Sequence, residues 1–485
     1  MSRSLPENPF LMGGYAPWPM EGEICDLIVE GEIPAELSGA LYRNGPNPQF
    51  APRGNYHWFD GDGMIHAFFF RDGKVDYKNR WVRTGRFEQE RAAGEALFAG
   101  LASPGSGDPR VDGKSSNAAN TSIVWHAGKL LALWEGGLPH ELDPHTLETV
   151  GPYDFDGRLT REMDREAAAE FGFAPDEGKP PGIMTAHPKI DPRTGEMLFF
   201  GYSPTPPYLV YYVTSADGEL VRSVEINAPF ASMVHDFIIT DEHVIFPVFP
   251  AVFDPEAMEK TGLALSWQPE RGTHIGIMPR DGGSEDLVWL QTDPCYVFHP
   301  MNARTEGSRI IAEVARYPVV PFFGVDDGAG PAVLTRWVMD LESGTVKEEP
   351  LDEDPSEFPK IDERYAGRAY RHGYCVGVIG GGEASEPQNA DEFTGALFHY
   401  DLEKRVRREH RLAPADSSGE PIFVPRCADA PEGDGYLLAV IYRGEKRRSD
   451  LLVLDAQNID APPLATVRLP HRIPAGFHGC WRPET

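Results

Sequence analysis

Cysteine is scarce in this sequence, and the cysteines that occur lie far apart. The chain has five cysteines in 485 residues, and none of them forms a Cys-x-x-Cys pair. This spacing excludes a zinc ribbon and gives no indication of a disulfide framework. The N-terminal residues MSRSLPENPF contain no long apolar run, so the sequence predicts no signal peptide. We therefore expect a protein of the cytoplasm.

Long hydrophobic runs and positive charge are also lacking. The longest uncharged apolar stretch is VIFPVFPAVF (residues 244–253), which is interrupted by prolines and too short to cross a bilayer. Lys and Arg number 45 against 75 Asp and Glu, which gives a formal net charge of −30. Such a surface repels phosphates, so we expect no nucleic-acid partner.

Several catalytic motifs are missing from the sequence. It contains no HExxH, no GxSxG, no Walker A motif and no GxGxxG after a predicted strand. The zincin, serine-hydrolase, P-loop and Rossmann chemistries are therefore unsupported, and no organic cofactor is expected.

Turn residues, in contrast, are abundant. The chain has 50 glycines and 45 prolines, about a fifth of its length. Turns rich in Asp, Gly and Thr precede short apolar strands repeatedly, as in DPRTGE before MLFFGY and EGDG before YLLAVIY. Such turns between β-rich runs are typical of antiparallel hairpins.

This repetition predicts an all-β fold. Units of roughly 50 to 65 residues, each with a few antiparallel strands, indicate a seven-bladed β-propeller. A sandwich or several stacked β-domains is the alternative. No Pro/Ser-rich linker divides the chain, so we expect one domain over residues 1–485. Helical and loop insertions are predicted near residues 160–182 and 254–264.

Four of the fifteen histidines share an unusual setting. His187, His235, His299 and His478 each lie in an apolar segment near a turn or a strand end. An imidazole in such a place needs a hydrogen-bond partner or a metal. Ligands from different propeller blades are tens of residues apart, so the spacing fits an axial metal site; scattered core histidines remain the alternative. Six others, beside turns or charges, are expected at the surface: His126, His140, His145, His243, His274 and His410.

Ordered motifs along nearly the whole chain resemble the carotenoid cleavage oxygenase family. They include LSGALYRNGPNPQF from Leu37, HWFDGDGMIHAF from His57, TAHPKID, MVHDF, FHPMNA, SEFPKID, EPIFVPR and GFHGCW. The resemblance implies a seven-bladed propeller with a loop and helix cap over the metal-bearing face. It also implies one non-haem Fe(II) per chain, with O2 as co-substrate.

The resemblance assigns roles to particular residues. The four histidines would hold the iron, and three glutamates, Glu135, Glu357 and Glu420, would accept the remaining ring N–H of ligating histidines. Such carboxylates fix the imidazole tautomer and raise its basicity. Thr121 matches a position beside the iron, where its methyl group would shield an open coordination site, and Phe59 would lie near the cavity. Ordinary surface or core roles are the alternatives for these residues.

The implied reaction is oxidative cleavage of a conjugated C=C bond into two carbonyl products. One branch of the family acts on carotenoids or apocarotenoids, and another on stilbenes or phenylpropenes such as isoeugenol. Phenol-specific members carry a Lys before the first of the three glutamates and a Tyr in a nearby loop. Here Trp134 and Leu101 stand near those positions, so we favour a carotenoid-type polyene, with an aromatic olefin as the alternative.

Further expectations concern surfaces and competing classes. The apolar stretches at residues 244–253 and 317–323, the second of which contains Phe322 and Phe323, would either pack inside the cap or touch a membrane peripherally. No obligate protein partner is predicted. The competing functions are a propeller hydrolase with Ca²⁺ or Zn²⁺ and a non-enzymatic interaction propeller.

Overall fold

The chain folds almost entirely into short antiparallel strands. The computed structural model describes residues 5–160, 182–257, 264–321, 330–379 and 395–484. The first sixteen strands of the described chain are β1 (Gly22–Ile24), β2 (Ile28–Gly31), β3 (Gly39–Pro46), β4 (Gly63–Arg71), β5 (Lys74–Trp81), β6 (Ser122–His126), β7 (Lys129–Leu133), β8 (His140–Leu142), β9 (Thr149–Pro152), β10 (Lys189–Ile190), β11 (Met197–Tyr202), β12 (Leu209–Thr214), β13 (Leu220–Ile226), β14 (Ile238–Ile239), β15 (His243–Val248) and β16 (Ala251–Phe253).

The second half of the chain continues the same pattern. Its strands are β17 (Leu265–Trp267), β18 (Thr273–Pro279), β19 (Val288–Thr292), β20 (Tyr296–Glu306), β21 (Arg309–Tyr317), β22 (Val333–Asp340), β23 (Thr345–Ile361), β24 (His372–Val378), β25 (Gly395–Asp401), β26 (Val406–Arg411), β27 (Ser417–Ser418), β28 (Ile422–Pro425), β29 (Gly435–Arg443), β30 (Arg448–Asp455), β31 (Ala465–Arg468) and β32 (Gly479–Pro483).

Helices are short in the described residues. The α-helix α1 spans Gly85–Ala93. Single 3₁₀ turns occur at Pro9–Leu11, Gly13–Tyr15, Trp58–Asp60, Pro104–Ser106, Pro109–Val111, Pro269–Arg271, Ser284–Asp286 and Glu363–Tyr365. The insertion predicted near 160–182 lies outside the described residues except at its two ends, and residues 258–263 of the second insertion are also outside them.

The strand pairing gives seven antiparallel units in the described residues, which we call blades A to G in chain order of their first long strand, and a separate pair of short strands, β16 and β17. Blade A has the order β1-β5-β4-β3-β32, blade B β6 to β9, blade C β10 to β13 and blade D β14-β15-β18-β19. The strands β20 to β26 form one sheet, in which the first part of β23 pairs with β22 and its last part, from Ser356, pairs with β24. This gives blades E and F, and blade G contains β2 and β27 to β31.

Buried apolar clusters join each blade to the next and close the ring. One cluster joins blades A and B, the next joins B and C, and the largest spans C, D and E. Three more join E to F, F to G, and G back to A. Since every blade packs face to face against two neighbours, the seven-bladed propeller predicted from the repeats is confirmed.

The two ends of the chain meet in blade A. The C-terminal strand β32 pairs with β3 from Gly39↔Pro483 to Arg43↔Gly479. The segment before β32 runs close to β3, because a Cβ atom on Gly45 would lie 2.5 Å from the Cα of Gly476. This close backbone approach places His478, two residues further on, at a fixed position on the ring axis side of blade A.

The helix α1 offers a direct test of local stabilisation. The Thr84 side chain caps the helix by accepting the N–H of Phe87 at 3.1 Å, and Gly94 ends it in the left-handed region. We expect Thr84→Ala to lower the free energy of unfolding by about 1 kcal/mol, the usual value of an N-cap. Thr84→Ser, which keeps the hydroxyl, should lose clearly less in the same urea titration; equal losses for both variants would contradict the capping role.

The apolar stretch at residues 244–253 is buried throughout the strand β15 and the turn after it. Val244, Phe246 and Phe249 are each 0–1% exposed and belong to the largest core cluster. Packing is therefore the observed role of this stretch. Residues 322 and 323, in the second stretch, lie outside the described residues. No described helix has both the length and the apolar character needed to cross a membrane.

Candidate metal centre

Four blades each bring one histidine to a common point. His187 and His235 precede the first strands of blades C and D, His299 lies in the first strand of blade E, and His478 precedes β32 of blade A. Each of these strands is the edge strand of its sheet. The four potential ligand atoms all lie within 4.8 Å of one another. The histidines predicted from the sequence are therefore brought together.

The distances between the ring nitrogens are those of ligands that share an ion. The Nε2 atoms of His187 and His235 are 2.8 Å apart, and those of His235 and His299 are 3.2 Å apart. With metal–nitrogen bonds of about 2.0–2.1 Å, ligands at right angles stand about 3 Å apart. The geometry of the histidine cluster thus matches a single coordination sphere.

Three of the histidines have a carboxylate behind them. Glu135 bonds to Nδ1 of His235 at short range, Glu357 to Nδ1 of His299 at 2.6 Å, and Glu420 to Nδ1 of His478 at 2.8 Å. A carboxylate oxygen accepts a hydrogen bond from an N–H group. Each of these imidazoles therefore carries its proton on Nδ1, and its Nε2 keeps a free lone pair.

This tautomer decides whether the cluster fits a metal. In this tautomer the Nε2 lone pairs of His235 and His299 face each other at 3.2 Å. Two lone pairs at that distance repel unless a cation lies beside them. Four neutral imidazoles with carboxylates behind three of them suit a borderline divalent ion such as Fe²⁺ or Zn²⁺. The four histidines and the glutamates behind them therefore form a suitable binding site for a metal ion.

His187 is held differently from the other three. Its Nδ1 lies 3.8 Å from Oδ2 of Asp236, and Asp236 is itself paired with Lys189 at 2.8 Å. Burial lowers the pKa of His187 well below its ordinary value, and the neighbouring histidines lower it further. His187 is therefore neutral at neutral pH, as a metal ligand must be.

Each glutamate is fixed by a second donor. The hydroxyl of Tyr202 donates to Oε2 of Glu135 at 2.8 Å. The backbone N–H of Phe358 donates to Oε2 of Glu357, at the register shift of β23 where Phe358 adopts a left-handed φ of 52°. The N–H of Gly479 donates to Oε2 of Glu420 at 2.8 Å. These bonds orient the carboxylates toward the histidines.

The seven residues come from seven different blades. Blades A, C, D and E supply the histidines, and blades B, F and G supply Glu135, Glu357 and Glu420 respectively. Glu135 lies in the turn after β7, Glu357 at a register shift in β23, and Glu420 between β27 and β28. Each blade therefore contributes one side chain to the centre.

Thr121 and Phe59 lie at the edge of this centre. The backbone carbonyl of Thr121 accepts the N–H of His478 at 3.3 Å, and its hydroxyl donates to Asn120. Asn120 in turn donates to the backbone carbonyl of Phe59 at 2.8 Å. The two predicted residues are thus linked to each other and to the segment of His478, and their roles in the reaction remain predictions.

Aromatic rings cover the histidines. Phe298 meets His235 edge-on with ring centroids 5.0 Å apart, and Phe358 stacks on His299 at 5.3 Å. The ring of Phe59 contacts Phe298 at 6.4 Å. Apolar rings therefore cover part of the histidine cluster, while the carboxylates lie behind it.

Comparison with known proteins agrees with this architecture. A family model described as "Retinal pigment epithelial membrane protein" matches residues 15–483. The isoeugenol monooxygenase of Pseudomonas putida is 38% identical, with 98% of each chain covered. A carotenoid cleavage oxygenase of Mycobacterium tuberculosis is 34% identical, with 99% of this chain and 98% of the relative covered. The chain belongs to the carotenoid cleavage oxygenase family.

Solved structures of this family superpose closely on the chain. The lignostilbene dioxygenase of Pseudomonas brassicacearum matches with a TM-score of 0.90 and 34% identity over the whole of both chains. The cobalt-substituted apocarotenoid oxygenase of Synechocystis matches with a TM-score of 0.84 and 30% identity, covering 97% of this chain and 98% of that one. The predictions of family, fold and oxygenase class are confirmed.

Sequence reasoning missed several residues of the centre. The residues that were not predicted are Asp236, Lys189 and Lys360. Each lies within three residues of a predicted residue in the sequence. The prediction of six surface histidines is wrong for two of them. His126 is 7% and His140 1% exposed, because both face into blade B from its strands, and Nε2 of His126 pairs with the carbonyl of Gly195.

The carboxylate behind His235 can be tested directly. We expect Glu135→Gln to weaken metal binding by about 10- to 100-fold, the usual effect of losing such a carboxylate. Glu141→Gln, in the same blade but paired with Lys129 away from the histidines, should bind metal as the wild type does. Chelator competition measures both affinities, and unchanged binding in Glu135→Gln would contradict the role of Glu135.

Proposed function

We propose that the protein is a ferrous non-haem dioxygenase that cleaves a conjugated carbon–carbon double bond. In the reaction the C=C bond breaks and both atoms of O2 enter the products as two carbonyl oxygens, so no external reductant is needed. The observation that carries the proposal is the set of four imidazoles with no carboxylate among the ligand atoms. Fe²⁺, when bound, would supply the binding and activation of O2.

The chain's own residues orient the site and keep it dry. The glutamates hold the imidazoles in one tautomer, so that the Nε2 atoms point at a common centre. The rings of Phe298 and Phe358 pack against two of the histidines and exclude water from their faces. An olefin held against such a wall is positioned by apolar contact rather than by an acid and a base.

The charges near the histidines favour an apolar polyene as substrate. In the described part of the chain, the two lysines beside the histidines are both paired, Lys189 with Asp236 and Lys360 with Glu420. Trp134, half-buried, precedes Glu135 where the phenol-specific relatives are expected to carry a lysine. Neither feature offers a cation to a phenolate, which supports a carotenoid or apocarotenoid substrate.

An aromatic olefin is the second candidate. It is supported by the 38% identity to an isoeugenol monooxygenase and by the TM-score of 0.90 with a lignostilbene dioxygenase. Both substrate classes present a conjugated double bond to the same centre, so the chemistry of the proposal is unchanged between them.

The experiment is a side-by-side assay of the Fe(II)-loaded protein under ¹⁸O2. An apocarotenal, resveratrol and isoeugenol are offered in parallel, and the aldehydes are identified by mass spectrometry. We expect apocarotenal products that carry ¹⁸O, and none from the Zn(II)-loaded control, since Zn²⁺ is not redox-active. Labelled products mainly from resveratrol or isoeugenol would favour the second candidate. No cleavage of any olefin, or stoichiometric Ca²⁺ or Zn²⁺ in the purified protein without O2 uptake, would overturn the proposal.

A further inference from the structure

The three glutamates behind the histidines do not have the same electrostatic surroundings. Glu135 and Glu357 are accompanied by neutral donors, the hydroxyl of Tyr202 and the N–H of Phe358. Glu420 alone among the three has an ion-pair partner in the described residues besides its histidine. Nζ of Lys360 lies 3.4 Å from Oε1 of Glu420, the same oxygen that bonds to Nδ1 of His478.

The Lys360–Glu420 ion pair is largely buried. The side chain of Lys360 is 22% exposed, and the Glu420 side chain 2% exposed, so water screens the pair weakly. Burial alone would lower the pKa of Lys360, but the charge of Glu420 outweighs it and the pKa is raised. The ammonium is therefore present throughout the physiological range. Its other near neighbour, Glu363 at 3.8 Å, is 70% exposed and interacts weakly.

A second cation stands behind the same carboxylate without bonding to it. The guanidinium of Arg43 is buried and donates to the backbone carbonyls of Glu420 and Phe477 at 3.3 and 3.2 Å. The Glu420 residue thus has two cations close to it, the ammonium of Lys360 at its carboxylate and the guanidinium of Arg43 at its backbone carbonyl. The asymmetry is a property of the fold, because β3 and β23 bring both cations to one glutamate.

We propose that Lys360 is a positioning residue for the metal centre. Its ammonium attracts the negative charge of the Glu420 carboxylate, so His478 donates less electron density to the bound ion than His235 and His299 do. The divalent state of the ion is thereby favoured over the trivalent state. This inference rests on the proposed function, since it presumes an iron at the four histidines. The physical reason is that a nearby positive charge costs more free energy when the ion carries three charges than when it carries two.

The test compares Lys360→Met with Lys360→Arg, Lys360→Gln and Lys129→Met. Lys360→Met removes the charge and keeps the length of the chain, and Lys360→Arg keeps the charge. Lys360→Gln is a second neutral variant in case the methionine variant does not fold. Lys129→Met removes a lysine of blade B that pairs with Glu141, away from the histidines. Each protein is loaded with Fe(II), and the equilibrium between its ferrous and ferric forms is measured by spectroelectrochemical titration.

We expect the two neutral variants to shift this equilibrium toward the ferric form by about tenfold, as loss of a nearby unit charge in a weakly screened site does. Lys360→Arg and Lys129→Met should titrate as the wild type. A purely structural role for Lys360 would change the unfolding temperature and leave the potential where it was, and that result would overturn the inference.

The same experiment separates the two proposals. If the wild type binds no iron at the four histidines, the proposed function fails and the inference fails with it. If the wild type binds iron and cleaves olefins, but a folded neutral variant has the wild-type potential, only the inference fails.

Discussion

Replacing His235 with alanine is expected to remove the metal from the protein and to abolish olefin cleavage. His235 lies next to two other histidines of the cluster, with its Nε2 at 2.8 Å from that of His187 and at 3.2 Å from that of His299. Structural Zn²⁺ sites in zinc-finger peptides, which have four ligands, bind their ion with about 10–16 kcal/mol; on that scale the loss of one of four ligands costs about 3 kcal/mol, or about 100-fold or more in affinity.

The variant also leaves Glu135 without its histidine. The carboxylate keeps the hydrogen bond from Tyr202, so the blade that carries it should still fold. The measurements are metal content by elemental analysis after gel filtration and aldehyde formation from the best olefin of the wild type. His145→Ala is the matched control, because His145 lies in an exposed turn of blade B. A His235→Ala protein that retains stoichiometric metal and cleaves the olefin would contradict the metal centre.

Part of this centre is predictable from the sequence for a physical reason. A metal ligand from a propeller blade must stand at the axis end of an edge strand, so it appears as an isolated histidine in an apolar segment beside a turn. His187, His235 and His478 each show this pattern and precede short strands in the structure. The repeated units of a few antiparallel strands likewise predict the number of blades, because each unit forms one blade.

The electrostatic partners were not predictable in the same way. Asp236 and Lys189 flank two ligand segments in the sequence, but their pairing depends on how blades C and D are placed against each other. Lys360 follows Glu357 by three residues, yet it pairs with Glu420 of another blade. A register shift between Glu357 and Lys360 turns the two side chains toward different partners, and no periodicity in the sequence signals such a shift.

The buried histidines show the same limit. His126 and His140 stand beside turn residues and charges, which favours a surface position on composition alone. In the structure both are buried in blade B, where His126 reaches across to a turn of blade C. Burial of a polar ring depends on a hydrogen-bond acceptor supplied by another blade, and that acceptor is a backbone carbonyl, which any residue could provide.

Replacing Glu420 with alanine is expected to lower the free energy of unfolding of the metal-free protein by about 3 kcal/mol. This is the low end of the range for breaking a buried ion pair, because Lys360 retains 22% exposure. The side chain of Glu420 is 2% exposed, and its two oxygens accept from His478 and from the N–H of Gly479. Its removal leaves two buried donors without this acceptor, and leaves Lys360 with the more distant and exposed Glu363 at 3.8 Å.

The pKa of Glu420 indicates how strongly these groups act. Burial by itself raises the pKa of the carboxyl group, but Lys360 and His478 outweigh it and lower the pKa to about 2. The carboxylate is therefore charged at neutral pH, and the pairing energy is present in full under the conditions of a urea titration. Measuring the metal-free protein separates this term from the stabilisation that a bound ion would add.

A matched control and a double variant identify the source of the loss. Glu363→Ala removes a carboxylate that is also near Lys360 but is 70% exposed, and it should cost less than about 0.5 kcal/mol. If the stranded ammonium causes most of the loss, Lys360→Met combined with Glu420→Ala should be more stable than Glu420→Ala alone. A Glu420→Ala protein as stable as the wild type would contradict this role of the ion pair. Removing a buried carboxylate with a cation at 3.4 Å costs free energy unless water solvates that cation.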